Sequence, residues 1–447
     1  MDRRSRDEKM RLGAFFMPTG HHVASWRHPD ADPDAGVNFQ HYVKLAQTAE
    51  RAKFDMVFLG DNYAVRATHP EALRRSAQYI ANFEPLTLLS GLAALTSHIG
   101  LVATASTSYN EPFHVARNFA SLDHISNGRA GWNMVTSAQE AEAHNFGREK
   151  HYGHAERYER AQEFTRVVLG LWDSWEDDAF PRDKASGQFL DPAKLHPLNH
   201  KGAHFTVRGP MNIPRAPQGY PVLVQAGTSG DGRRFAAEFA EVIFSSHLTI
   251  EQALSYYAEV KAAAAEFGHG PSDIKIMPGL NPIIGRTADE ADEKFELLNS
   301  LIEPVVAREI LATFLRKDIS QYPFDGPFPD LEPDAQSSGS FYNWVELAKK
   351  EKLTLRQTAF RAARGRMSVT RGSPKQIADH MQEWFVSGAC DGFNIMPPYL
   401  PGAFNDFVEL VVPELQRRGL FRTEYEGKTL RENLGLRRPA SRYAVPA

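Results

Sequence analysis

Short apolar runs and amphipathic stretches alternate along this chain. Leu12-Gly13-Ala14-Phe15-Phe16-Met17 has no polar position, fits a buried strand, and is stopped by Pro18-Thr19-Gly20. From Asn38 the spacing becomes helical, with Asn38 as N-cap and Tyr42, Leu45, Ala46, Ala49 and Ala52 on one face. The same exchange then repeats. Strands are predicted over residues 54–61, 99–106, 130–135, 220–227, 242–246, 274–280 and 392–396. Helices are predicted over residues 86–97, 112–125, 154–175, 233–240, 250–267, 288–315, 373–385 and 403–418. Eight strand and helix units in alternation predict an α/β fold, a (β/α)8 TIM barrel. An open doubly wound sheet is the runner-up, because periodicity counts elements without showing closure.

Two stretches interrupt the rhythm. Residues 177–212 are rich in Pro, Gly, Asp and Lys and suggest an excursion with a short hairpin. Residues 316–366 carry YPFDGPFP, then SSGS, then a helix over 342–350, and an insertion of this length suggests a lid over the active-site mouth. The expected organisation is one barrel domain over 1–447 with these two insertions and a tail, 420–447, that wraps or lies on a neighbouring surface.

Composition narrows the function. At 42% hydrophobic and 24% charged residues the chain reads as an ordinary soluble globular protein, with no apolar run of membrane-spanning length. A formal charge of −4 gives no electrostatic case for nucleic acid. One cysteine, Cys390, excludes an internal disulfide framework and a cysteine-rich zinc site. The N-terminus has no signal-peptide apolar stretch, so a cytoplasmic location is expected.

The chain contains no P-loop, no G-x-S-x-G elbow, no H-E-x-x-H and no dinucleotide fingerprint after the first strand. His21, His22 and His28, followed by Asp30, Asp32 and Asp34, suggest a metal, but the spacing matches no established ligand set, and no metal is expected. Polar residues instead recur at successive strand ends: His21, Asp61, Ser106, Asn133 and Ser137, then His154, Tyr158 and Ser229. In a barrel these face one mouth. Hydroxyls and a helix N-terminus suit a phosphate, and an apolar barrel top suits an aromatic ring, so a phosphorylated aromatic cofactor such as flavin mononucleotide fits.

Long segments add to this reading: GHHVASWRHP at 20–29, ERAKFDMVFLGD at 50–61, ATASTSYNEPFHVARNFASLDHISNGRAGWNMVTS at 103–137 and HAERYERAQEF at 154–164. With these the chain resembles the bacterial luciferase-like flavin-dependent monooxygenases. The similarity is to the branch of nitrilotriacetate, EDTA, dibenzothiophene-sulfone and long-chain alkane monooxygenases and the pristinamycin synthase subunits, and the paired His is closest to the aminopolycarboxylate type. The resemblance implies a two-component system in which a separate NAD(P)H:flavin oxidoreductase supplies reduced FMN. With O2 as co-substrate, a C4a-(hydro)peroxyflavin then oxygenates a small organic substrate, often with cleavage of a C–N or C–S bond. It implies flavin contacts at Asp61, Ser106 and Asn133, phosphate ligands at Ser137, Tyr158 and Ser229 with His154 beside them, and His21 or His22 near the reactive face. Arg27, Arg66 and Arg371 are candidates for pairing with substrate carboxylates. A homodimer or homotetramer is expected. The competing readings are a non-catalytic flavin- or ligand-binding barrel and a metal-dependent barrel hydrolase.

Overall fold

The computed structural model describes residues 8–65, 69–77, 79–227, 230–333, 339–365 and 369–444. Eight parallel strands close into a barrel: β1 (Arg11–Phe16), β2 (Met56–Leu59), β3 (Gly100–Ser106), β4 (Ala130–Val135), β5 (Val222–Gln225), β6 (Val242–Ser245), β7 (Lys275–Ile284) and β8 (Gly392–Ile395). Each strand pairs with the next, and β8 pairs with β1, so the ring has no edge. The doubly wound alternative is thereby excluded. A ninth strand, Val369–Gly372, runs parallel to the far half of β7 and extends it above the barrel.

Helices pack outside in the expected order: α1 (Phe39–Arg51), α2 (Pro85–Ala93), α3 (Pro112–Ile125), α4 (His154–Trp172), α5 (Gly230–Phe239), α6 (Ile250–Glu266) and α7 (Ala288–Ser300). Asn38 caps α1 by accepting from the His41 amide, as its position before the apolar face predicts. The helix expected over 288–315 is two helices. It breaks before Pro304, which opens α8 (Pro304–Leu315) with its fixed φ at the first helical position.

Helix α8 carries the insertion. It packs with α9 (Gly339–Glu351) and α10 (Leu355–Ala363) around Leu311, Leu315, Phe341, Leu355 and Ala359, a core of its own that also takes in Val23 and Ala24 from the loop after β1. Helix α11 (Pro374–Val386) returns the chain to the barrel. The excursion at 177–212 contains the hairpin His200–Lys201 with Thr206–Val207, held on α4 by Glu163, which accepts from the amides of His204 and Phe205 at 3.0 and 2.9 Å.

The tail packs on its own chain. Leu430, Leu434 and Leu436 enter the amino-terminal end of the barrel among Met56, Val102, Val222, Val242 and Met277. Buried Arg431 donates to Glu241 at 2.9 Å, and Arg422 pairs with buried Asp55 at 2.5 Å. With that end plugged, ligand access is from the carboxyl ends of the strands. No helix among the described residues is long and apolar enough to cross a membrane.

Candidate active site

An aromatic floor lies inside the barrel. Phe15 of β1 stacks on Phe58 of β2 at 4.5 Å and meets Phe244 of β6 edge-on at 5.8 Å. The loop after β1 folds over it, pinned to the segment after β8 by the amides of His21 and His22, which donate to the carbonyls of Pro397 and Pro398. The His21 ring sits edge-on to Phe15 at 4.7 Å, with Nε2 2.9 Å from the Phe15 carbonyl. That acceptor assigns the proton to Nε2, and burial lowers the imidazole to about 4, so the ring is neutral at pH 7.

His22 faces the other way. Its Nδ1 accepts from the Ala24 amide at 3.2 Å, and the ring is buried toward Asn299 and Arg364. Burial lowers it to about 4, with the facing Asn299 opposing and the Arg364 charge adding to the shift. The paired histidines therefore do not act on one point: His21 faces the barrel and His22 the insertion. Among the described residues no group of three or more His, Cys, Asp or Glu is arranged to hold a metal ion. His28 stacks on Tyr399 at 3.7 Å, and Asp32 and Asp34 accept from Asn38.

The ends of β3 and β4 form one hydrogen-bonded unit. Asn133 donates through Nδ2 to Thr104 Oγ1 at 2.8 Å, and Thr104 donates to the Leu59 carbonyl at 2.8 Å. This leaves Asn133 Oδ1 buried without a partner. One step outward, the Ser106 and Ser137 hydroxyls are 2.9 Å apart, and Ser137 donates to Glu142 at 3.2 Å. Ser137 has a φ of 51°, a left-handed backbone that the surrounding contacts must hold in a non-glycine residue. Glu142 supplies them by accepting from the amides of Ala138 and Gln139 at 3.1 Å each. Asp61, just past β2, is raised to about 6, chiefly by burial and further by the nearby Glu84 and Glu142 charges.

The amino-terminal ends of α4 and α5 meet beside this unit. His154 Nδ1 lies 3.0 Å from Asp231 of α5, and the His154 and Tyr158 rings are 5.1 Å apart. Tyr158 also touches Phe235 of α5 edge-on at 6.2 Å. Arg157 links this corner to the former one by donating to the Ser137 carbonyl. Ser229 and Arg66 lie outside the described residues. Arg27 pairs with Glu303 at 2.9 Å and Arg371 with Asp292 at 2.9 Å, both on the surface.

Glu142, Arg157 and Thr104 escape a reading by residue type. The spacing of Gln139 and Glu142 is a capping-box signal, and Arg157 lies one turn along from His154, so both had a local trace.

A closed parallel barrel, plugged below and carrying above it the neutral His21 imidazole, an unpartnered amide oxygen and two helix N-termini, is the architecture of the α/β-barrel enzymes, a class in which ligands are met at the strand ends. The luciferase-like monooxygenase family profile matches residues 17–391. Two relatives align over nearly their whole lengths. One is N-acetyl-S-(2-succino)cysteine monooxygenase of Bacillus subtilis, 53% identical over 98% of this chain and 99% of the relative. The other is nitrilotriacetate monooxygenase component A of Aminobacter aminovorans, 47% identical over 99% of both. Among solved structures, EDTA monooxygenase of a Chelativorans species superposes with a TM-score of 0.79 at 34% identity, over 97% of this chain and 100% of the other. The chain belongs to the luciferase-like monooxygenase family and is an oxidoreductase, a flavin-dependent monooxygenase acting on an organic substrate.

Proposed function

We propose that the protein takes reduced FMN from a separate NAD(P)H:flavin oxidoreductase and uses O2 to oxygenate a small organosulfur or aminocarboxylate substrate at the barrel mouth. The observation that carries this reading is the unpartnered Asn133 Oδ1 at the strand ends, beside a corner where two helix N-termini converge. An aromatic, donor-bearing ring with a phosphate tail matches both features: ring N–H groups satisfy a buried acceptor, and a dianion is favoured by free helix amides. Reduced FMN supplies the oxygen-activating chemistry when bound.

The rest falls to the chain. Asn133 and Asp61 orient the ring. Ser137, Tyr158, Ser229 and the α5 terminus hold the phosphate, with the Arg157 guanidinium adding positive charge and His154 beside them. Ser106 keeps Ser137 in place. Phe15, Phe58 and Phe244 exclude water from the reacting face. Neutral His21 holds its proton on Nε2 against the Phe15 carbonyl, which leaves Nδ1 to accept a hydrogen bond from bound substrate or water.

Anaerobic fluorescence titration tests the assignment. Tyr158→Phe and Ser137→Ala should each weaken reduced-FMN binding by about 1 kcal/mol or more, the worth of a hydrogen bond to a charged group. Unchanged affinity in both variants would remove the phosphate site from this corner.

A further inference from the structure

The register of the barrel leads from the aromatic floor to a polar residue outside the cofactor contacts. Ala14 of β1, Ile395 of β8 and Leu280 of β7 are neighbours across the sheet, and all three face the helices. Side chains alternate along a strand, so the next residues, Phe15, Met396 and Asn281, face the interior. The Met396 amide donates to the Leu280 carbonyl at 2.8 Å, which carries the pairing one residue past β8 and keeps Met396 beside Asn281. Phe15 is in turn paired with Phe58 of β2. In a closed barrel of tilted strands such a row climbs, here from Phe58 through Phe15 and Met396 to Asn281. Asn281 therefore stands above the floor, beside the segment after β8 that receives the His21 amide.

Asn281 is 8% exposed, and its amide oxygen is buried with no hydrogen-bond partner. The other inward amide of this wall is placed differently. Asn394 of β8 pairs with Gly13, one inward position below Phe15, and fills the room that the missing Gly13 side chain leaves. It donates through Nδ2 to the Met277 carbonyl at 3.1 Å, and its oxygen, also unpartnered, lies against β1 beneath the floor. Asn281 is the counterpart of Asn133 instead. Each is an inward asparagine with a buried oxygen that lacks a donor, one on β4 and the other on β7, three strands on round the ring.

A flat ring lying on Phe15, Phe58 and Phe244 meets both walls. Oxidised isoalloxazine has a single ring N–H, whereas two-electron reduction adds an N–H at N5 and, in the neutral form, another at N1. Acceptors on two walls are better filled by the reduced ring, and a buried acceptor left unfilled disfavours the oxidised one.

We propose that Asn281 determines which redox state of the flavin is bound: its amide oxygen accepts from a ring N–H that only the reduced flavin presents, while Asn133 accepts from the other wall. The proposal rests on the barrel mouth being the flavin site. It makes Asn281 a contact of the ring and not of the phosphate, so its effect is the same with and without the phosphate tail.

The test is fluorescence titration of the full chain with reduced FMN and reduced riboflavin under anaerobic conditions, and with oxidised FMN, for wild type, Asn281→Ala and Asn281→Asp. Wild type should bind reduced FMN more tightly than oxidised FMN. Asn281→Ala should weaken reduced FMN and reduced riboflavin by the same factor, about fivefold or more, and oxidised FMN by less than about twofold. Asn281→Asp, which keeps an acceptor oxygen in place, should retain most of the preference for the reduced form. Equal losses for reduced and oxidised FMN in Asn281→Ala, unchanged reduced-FMN affinity in that variant, or a wild type without preference for the reduced form would each overturn the proposal. If Asn281→Ala does not fold, Asn281→Leu, which removes the acceptor at nearly constant volume, takes its place. A wild type that binds no reduced flavin at about 100 µM would sink the cofactor reading and this proposal with it. Reduced-FMN binding that responds to Tyr158→Phe but not to Asn281→Ala would keep the cofactor reading and remove Asn281 from it.

Discussion

Asp61 and the histidine pair are moved in opposite directions by the same cause, removal from water: the carboxyl rises to about 6 and the imidazoles fall to about 4. Folded Asp61 takes its proton at higher pH than in the unfolded chain, so it adds stability as pH falls through about 6. The folded histidines resist protons that the unfolded chain binds below about 6.5, so they remove stability over the same fall. Two histidines outweigh one carboxyl. Asp61→Asn, which removes the compensating group, should steepen the loss of Tm between about pH 6.5 and 4. A thermal-unfolding profile parallel to wild type would show that Asp61 is not held protonated. At this scale the sequence was informative where a strand end fixes a side chain: Ser106 at the end of β3 meets Ser137 just past β4, and Asn133 of β4 bonds Thr104 of β3. It named His22 together with His21 but not the surroundings that separate the two, Asn299 and Arg364, both distant in sequence.

At the scale of elements, all eight strands were legible because fully buried parallel strands read as uninterrupted apolar runs. Helix α10 was not, although Thr354 and Gln357 form the capping box that opens it. Its apolar face is short, and its core partners lie on α8 and α9, so periodicity within the segment is weak. The insertion has its own core, and this carries a prediction. Leu311 is fully buried there, and Leu311→Ala should cost about 2–5 kcal/mol locally. Limited proteolysis should then cut faster between residues 304 and 363 while the barrel keeps its resistance. Cleavage spread evenly over the chain would contradict an independent unit.

For the whole molecule, the plugged base, the closed barrel and the insertion leave the carboxyl ends of the strands as the place where a cofactor and a substrate can meet. What the tail does was not readable, since Leu430, Leu434 and Leu436 show an apolar face without showing what it covers. The reading of the barrel mouth as the seat of reduced-flavin oxygen chemistry is tested most directly by rapid mixing. The protein, loaded anaerobically with reduced FMN, is mixed with oxygenated buffer and the absorbance of oxidised flavin is followed. The return of that absorbance should lag far behind that of free reduced FMN, because the barrel mouth shields the bound flavin from water. Return at the rate of free flavin would contradict it.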